Sequence, residues 1–285
     1  MRNTGQMRGA PAAAAESFIE VDGARLRLRD EGRGFPVLLV HGWALDLDMW
    51  QPQVTAWAAR MRVLRYDRRG FGLSTGSPSL AADTRDIESL LRRLNLQRVA
   101  IVGMSQGARG AMRAAAGPFR GRIACLVLDG APFDSSDSGE PEVPLARYRE
   151  LARTRGLDAV RGEWQRHPFA TLRTDERSAH ELLSLMTGRY PARDLLAGPQ
   201  PSSVAPWAPV SIDVPALVLN GAGDTRRRRA MGDELGRTLP RAERVLIRDA
   251  GHLPNLDNPD EYNRLVHSFI ERHAAAPGPL GATDA

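Results

Sequence analysis

The residues whose types and spacing are best suited to chemistry form the run Gly103-Met104-Ser105-Gln106-Gly107. This run joins an apolar stretch of strand length to an alanine-rich stretch typical of a helix. A serine on such a strained turn needs small neighbours, which the two glycines provide, and the turn exposes the serine hydroxyl. It also directs the N–H of Gln106 toward the oxyanion that forms when the serine attacks a carbonyl. The run therefore predicts a nucleophilic Ser105, with a turn that serves packing alone as the alternative.

A serine is a poor nucleophile at neutral pH and needs a histidine base that a carboxylate orients. His252 is the candidate base because it lies in a loop after a predicted strand, whereas His41 opens a turn and the other four histidines fall in or beside predicted helices. The preceding predicted strand leads into Gly221-Ala222-Gly223-Asp224, which makes Asp224 the candidate acid. The chain order Ser105, Asp224, His252 is that of a catalytic triad on an open α/β sheet.

The elements that must position these residues can be predicted from apolar runs. Six runs of strand length alternate with stretches of helical spacing, at 36–41, 62–66, 99–102, 123–128, 216–220 and 243–247. Two alternating segments around the turn dipeptide Asp22-Gly23 predict an antiparallel hairpin. We therefore expect an α/β fold with a mainly parallel sheet of eight strands and helices on both faces. Such sheets bind ligands at the carboxyl ends of their strands.

One section of the chain interrupts this alternation. Between 133 and 208 the sequence predicts three helices, at 145–155, 157–166 and 175–187, and no strand. We interpret this section as a helical cap inserted into the α/β core. The predicted divisions are a tail at 1–16, the first part of the core at 17–132, the cap at 133–208, the second part of the core at 209–274 and a tail at 275–285.

Taken together, these features resemble the α/β-hydrolase family over 17–274. The resemblance rests on five motifs in the family's order: His41-Gly42-Trp43, the turn 67–72 with Ser74, the serine turn, Gly221-x-x-Asp224 and Gly251-His252. It implies the α/β-hydrolase fold and an oxyanion hole formed by the N–H groups of Trp43 and Gln106. It also implies that His41 holds its loop rather than catalysing. Some family members take the carboxylate from the strand before Asp129, so Asp129 remains an alternative to Asp224.

Within the family, the segments 49–54, 62–67 and 252–256 are most similar to those of 3-oxoadipate enol-lactonases and related esterases. This similarity implies a serine hydrolase that cleaves a small carboxylic ester or lactone through an acyl-enzyme. The same triad would serve a carbon–carbon bond hydrolase, a perhydrolase or a cofactor-free biosynthetic tailoring enzyme, and these remain alternatives. A catalytically silent ligand-binding protein is the alternative from another class.

Several further residues are candidates for contact with the substrate. Arg109 lies one helical turn beyond Ser105, where it would meet an anionic group. Trp164, Phe169 and Trp207 lie in or beside the predicted cap and are candidates for an apolar pocket, with core packing as the alternative. The run 226–229 consists of four arginines, which we interpret chiefly as a solvated helix face, with contact between one of them and an anionic substrate as the alternative. Asp249 is expected to order the histidine loop.

Composition limits the remaining function classes. The chain has 285 residues and a net charge of +5, but all 39 basic residues are arginine and are spread along the chain, so we expect no nucleic acid partner. No stretch has the roughly 18 consecutive apolar residues of a membrane span, and 1–16 lacks the apolar segment of a secretory signal, so a cytoplasmic protein is expected. No motif indicates a metal site or a cofactor. Cys125 lies in an apolar run and is expected to be a buried thiol.

Overall fold

The six apolar runs and the two segments of the predicted hairpin form the eight strands of a single sheet in the computed structural model, which describes residues 16–133, 142–197 and 212–274. The strands are β1 (Glu16–Val21), β2 (Ala24–Glu31), β3 (Phe35–Val40), β4 (Met61–Tyr66), β5 (Val99–Met104), β6 (Ile123–Asp129), β7 (Ala216–Gly221) and β8 (Ala242–Ile247). Their order across the sheet is β1-β2-β4-β3-β5-β6-β7-β8. β2 pairs antiparallel with both β1 and β4, and the other five pairings are parallel, so the predicted mainly parallel α/β fold is confirmed.

Helices cover both faces of the sheet. Those of the core are α1 (Gln51–Trp57), α2 (Leu80–Arg93), α3 (Gln106–Ala116), α8 (Arg226–Thr238), α9 (Pro254–Asp257) and α10 (Pro259–Ala274). Apolar side chains of α2, α3 and α8 pack on one face, and those of α1 and α10 pack on the other. Successive residues of a strand point to opposite faces, so Val37 and Leu38 of β3 enter different apolar clusters. Cys125 is fully buried, as expected.

The section between β6 and β7 is helical in the part that the structure describes. It contains α4 (Leu145–Arg155), α5 (Leu157–Trp164), α6 (Arg177–Gly188) and α7 (Arg193–Leu196). Two polar contacts join it to the loop after β3. The Arg189 guanidinium donates to both carboxylate oxygens of Asp46 at 2.6 and 2.7 Å, and Trp43 Nε1 donates to Asp194 at 2.6 Å. These bonds hold the helices over the carboxyl ends of the strands.

The described helices include none with the length and apolar character that crossing a membrane requires.

Candidate active site

Ser105 lies on a sharp turn between β5 and α3. Its φ of +50° and ψ of −116° fall outside the regions that residues with a side chain normally adopt. The Ser105 N–H donates to the carbonyl of Asp129 at 2.7 Å, which ties the turn to the neighbouring strand. The flanking glycines are required by space, since a Cβ on Gly103 would lie 2.7 Å from Ala108 Cα and one on Gly107 would lie 2.3 Å from the Val40 carbonyl oxygen. Tight packing thus maintains a strained backbone at a serine.

This packing predicts that Gly107→Ala lowers the free energy of unfolding by about 3 kcal/mol, because the new methyl group must displace the backbone of β3. Gly121→Ala is the matched control, since a Cβ at Gly121 would meet nothing within 4 Å. Urea unfolding of both variants measures the difference. Equal stability of the two variants would contradict the packing argument.

His252 and Asp224 form a buried pair in the loops that follow β8 and β7. His252 Nδ1 lies 3.1 and 3.0 Å from the two carboxylate oxygens of Asp224. Asn220 Nδ2 and the Thr225 N–H donate to the same carboxylate at 3.0 and 2.7 Å. Burial alone would raise the pKa of Asp224, but His252 and these donors lower it below its usual 3.8. The carboxylate is therefore ionised and orients the imidazole through Nδ1, which leaves Nε2 as the candidate base.

Ser105 and His252 line the same cavity, which has a volume of about 220 Å³. The Phe169 ring stacks on the His252 imidazole, with 3.9 Å between the ring centroids and 24° between the planes. His252 and Ser105 are 2% and 8% exposed, so both are largely shielded from water. The cavity therefore holds a serine hydroxyl and an oriented imidazole in a sheltered environment, and these are the types of group that act as nucleophile and base in acyl transfer.

The alternative acid, Asp129, lies at the end of β6. His252 Nδ1 donates to Asp224, and no hydrogen bond joins His252 to Asp129 within the described residues. Asp129 is completely buried, and burial together with the negative charge of Asp224 raises its pKa well above 3.8. Burial therefore favours the neutral form of the Asp129 carboxyl group, and the geometry favours Asp224 as the partner of His252.

The two candidate oxyanion donors, Trp43 and Gln106, also line the cavity. Gln106 is the first residue of α3, so its N–H has no acceptor within the helix. Its side-chain oxygen accepts two hydrogen bonds of 3.2 Å from the Arg68 guanidinium. The Trp43 ring stacks on Tyr148, with 5.7 Å between centroids and 7° between planes. Contacts of the two side chains thus fix the backbone that carries the candidate N–H groups.

His41 is held by hydrogen bonds at both of its ring nitrogens. Its Nδ1–H donates to the Gly42 carbonyl at 2.8 Å, and its Nε2 accepts from the Arg68 N–H at 2.8 Å. Complete burial, followed by the charge of Arg68, lowers the pKa of His41 well below 6.5. The imidazole is therefore neutral and bonded at both nitrogens, in agreement with a role in holding the loop.

A neutral buried histidine makes stability depend on pH. Below pH 6.5 the unfolded chain protonates His41 and the folded chain does not, so the unfolded state binds more protons and stability falls as pH falls. We expect wild type to lose about 1 kcal/mol of stability relative to His41→Gln when pH falls from 6.5 to 5.5. Comparison with this variant is needed because burial raises the pKa of Asp67 to about 6, which has the opposite effect. Urea unfolding at several pH values measures this difference. Free energies of unfolding that change equally with pH in wild type and His41→Gln would contradict a neutral buried His41.

The structure places three of the four candidate substrate contacts at the cavity. Arg109, Trp164 and Phe169 line the cavity, and Trp207 lies outside the described residues. The interpretation of the run 226–229 as a solvated helix face is wrong for Arg228, which is only 6% exposed and lines the cavity.

Arg228 can be buried because its guanidinium has hydrogen-bond acceptors at this position. Its Nε donates to Glu142 at 2.6 Å and its Nη1 donates to the Gly130 carbonyl at 3.0 Å. The guanidinium also lies over the Phe169 ring, 4.9 Å from its centroid. An isolated sequence contains no signal for this burial, because Glu142 and Phe169 are distant in the chain.

The histidine loop is ordered by a different carboxylate from the one expected. Asp249 is exposed, whereas Asp257 accepts the Gly251 N–H at 2.7 Å and the Arg173 N–H at 2.6 Å. Asp257 can reach back to the loop because the short helix α9 reverses the chain after His252. It joins the histidine loop to the helical section between β6 and β7.

Comparisons with known proteins agree with this architecture. Residues 37–265 match the model of the alpha/beta hydrolase family. The pimeloyl-[acyl-carrier protein] methyl ester esterase of Methylococcus capsulatus is 30% identical over 258 residues, which cover 86% of this chain and 98% of that protein. A putative non-heme chloroperoxidase of Synechocystis is 37% identical over 120 residues, but the match covers only 40% of this chain and 43% of that protein.

A solved structure extends the likeness to the whole fold. The enol-lactonase from Burkholderia xenovorans LB400 superposes with a TM-score of 0.75 at 26% identity, covering 90% of this chain and 100% of that one. The family match spans most of the sheet and includes Ser105, Asp224 and His252. With its sheet, its serine turn and its match to the family model, the chain belongs to the alpha/beta hydrolase family of enzymes.

Proposed function

We propose that the protein is a serine hydrolase that cleaves a small carboxylic ester or lactone through an acyl-enzyme. The observation that carries the proposal is the cavity in which Ser105, on its strained turn, lies with the buried His252–Asp224 pair. The esterase from M. capsulatus and the enol-lactonase from B. xenovorans support the substrate class. The cavity volume of about 220 Å³ favours a small substrate.

In the first half-reaction, Ser105 Oγ attacks the carbonyl carbon while His252 Nε2 accepts the hydroxyl proton. The Asp224 carboxylate stabilises the resulting imidazolium through Nδ1–H. The Trp43 and Gln106 N–H groups donate to the oxyanion of the tetrahedral intermediate. When the intermediate collapses, the imidazolium returns its proton to the departing alkoxide, and the acyl group remains on Ser105.

The second half-reaction repeats these steps with water in place of the serine hydroxyl. His252 Nε2 takes a proton from water, which attacks the acyl carbon, and the imidazolium then protonates Ser105 Oγ as the acid product leaves. The stacking of Phe169 on His252 limits the orientations of the imidazole, so the same nitrogen serves both steps. Neither a metal nor a cofactor is required by this sequence of steps.

Turnover of short-chain esters and lactones in ¹⁸O-labelled water tests the proposed reaction. Hydrolysis by an acyl-enzyme predicts an acid product with one ¹⁸O atom after a single turnover, detected by mass spectrometry. Peracid formation that requires added hydrogen peroxide would favour a perhydrolase instead, and cleavage of a β-diketone with no ester turnover would favour a carbon–carbon bond hydrolase. Folded protein that binds such ligands without turnover or acylation would favour the silent binding protein.

A further inference from the structure

A second cavity of about 170 Å³ lies beside the one that contains Ser105. The two cavities share a wall formed by Gln106, Arg109 and Leu145. Arg109 comes from α3 of the core, whereas Leu145 begins α4 in the helical section above it. The second cavity is thus positioned to receive the part of a substrate that extends past the reacting carbonyl along α3.

Positive charge predominates among the described residues around the two cavities. These residues include five arginines and three carboxylates: Arg68, Arg109, Arg149, Arg227 and Arg228, with Asp83, Glu142 and Asp194. The carboxylates already have donors in the protein. Asp83 accepts from Arg68 at 2.5 Å and Glu142 accepts from Arg228 at 2.6 Å. Asp194 accepts from Trp43 Nε1 and from the Tyr190 hydroxyl.

Arg149 differs from the paired arginines. It lies on α4, is half-buried and lines the second cavity. Its Nε is buried without a hydrogen-bond partner, and none of the hydrogen bonds or ion pairs among the described residues involves it. A partly buried guanidinium without an anionic partner is costly, because it loses solvation and gains nothing in exchange. A carboxylate is the group that matches the planar donor fork of arginine best.

We propose that the second cavity binds a carboxylate of the substrate, with Arg149 as the residue that holds it and Arg109 adding positive charge at the shared wall. The inference rests on the proposed function and narrows its substrate class. The physiological substrate is then an ester or lactone that carries a carboxylate a few atoms from the reacting carbonyl. Because Arg149 lies on α4, recognition of this group depends on the helical section that covers the core.

The test compares matched ester pairs with and without a carboxylate. Monomethyl glutarate and methyl pentanoate differ on the acyl side, and 3-(butanoyloxy)propanoate and propyl butanoate differ on the alcohol side. We expect wild type to prefer the anionic member of at least one pair. Arg149→Gln should lower the ratio of kcat/KM for that pair by about tenfold to 100-fold. A ratio that Arg149→Gln leaves unchanged, or an absence of preference in both pairs, would overturn the proposal.

Arg147→Gln is the matched control. Arg147 lies on the same helix, and its side chain is 69% exposed and paired with Glu163 outside the cavities. We expect this variant to keep the wild-type ratio of kcat/KM. An equal fall in the ratio for both variants would indicate a general effect of charge on α4 and would overturn a specific role of Arg149.

Binding of glutarate, measured by isothermal titration calorimetry, separates this proposal from the proposed function. We expect glutarate to bind wild type and Arg147→Gln equally and to bind Arg149→Gln about tenfold or more weakly. This measurement does not require turnover, so it still tests whether the second cavity binds a carboxylate if wild type hydrolyses neither member of any pair. Glutarate that fails to bind wild type, or that binds all three proteins equally, would overturn the assigned carboxylate site.

Discussion

Replacement of Ser105 by alanine is expected to lower kcat for ester hydrolysis by about 10⁴-fold to 10⁶-fold, because Ser105 is the only hydroxyl side chain among the described residues that line the cavity. Steady-state kinetics with any ester that wild type hydrolyses would measure the loss. Within the described residues Ser105 Oγ makes no hydrogen bond, so Ser105→Ala should unfold at nearly the same urea concentration as wild type. The loss of activity in Ser105→Ala would therefore not be accompanied by a loss of stability.

Ser74→Ala gives the opposite pattern and is a suitable control. The Ser74 hydroxyl donates to the Asp67 carbonyl at 2.7 Å and accepts from the Arg27 N–H at 2.8 Å, and the side chain is fully buried. Its loss should cost about 1–3 kcal/mol of stability while leaving kcat within a few-fold of wild type. A fall in kcat of less than tenfold for Ser105→Ala would contradict the acyl-enzyme mechanism.

Replacement of Asp224 by asparagine is expected to lower kcat by about 10⁴-fold, because an amide neither stabilises the imidazolium nor holds the tautomer that leaves Nε2 unprotonated. The variant keeps the shape of the side chain, so the Thr225 N–H can still donate to its oxygen. Its effect should appear in kcat rather than in the folded structure, which circular dichroism would check.

Asp129→Asn is the matched variant that tests which aspartate acts with His252. Burial and the charge of Asp224 raise the pKa of Asp129 and so favour its neutral form, which the amide matches in charge. We expect kcat to remain within about threefold of wild type, which corresponds to less than 1 kcal/mol in the barrier. A large loss in Asp129→Asn combined with a small one in Asp224→Asn would assign the acid to the strand β6 instead.

The sequence was sufficient to predict the sheet and the order of the candidate triad. Strands buried on both faces are continuous apolar runs, and such runs end where the chain leaves the core. The run that predicts a strand at 216–220 corresponds to Ala216–Gly221, and Asp224 follows it by three residues. The serine turn could be recognised because a strained backbone needs glycine on both sides, which is a local requirement.

Contacts between distant segments could not be predicted in the same way. Helix α8 begins at Arg226, and Thr225 caps it by accepting the Arg228 N–H. Four arginines in a row are typical of a solvated surface, but Arg228 is buried by Glu142, which is distant in the chain. Arg149 also has no distinguishing feature among the arginines of α4 until the fold turns it toward the second cavity.

Covalent labelling with a fluorophosphonate tests whether Ser105 is an activated nucleophile. Wild type, Ser105→Ala and His252→Ala would be treated in parallel, and the modified peptide would be located by mass spectrometry. If His252 activates Ser105, we expect labelling at Ser105 in wild type, none in Ser105→Ala, and much slower labelling in His252→Ala. Folded wild-type protein that remains unlabelled, or labelling at Ser105 that does not depend on His252, would contradict it.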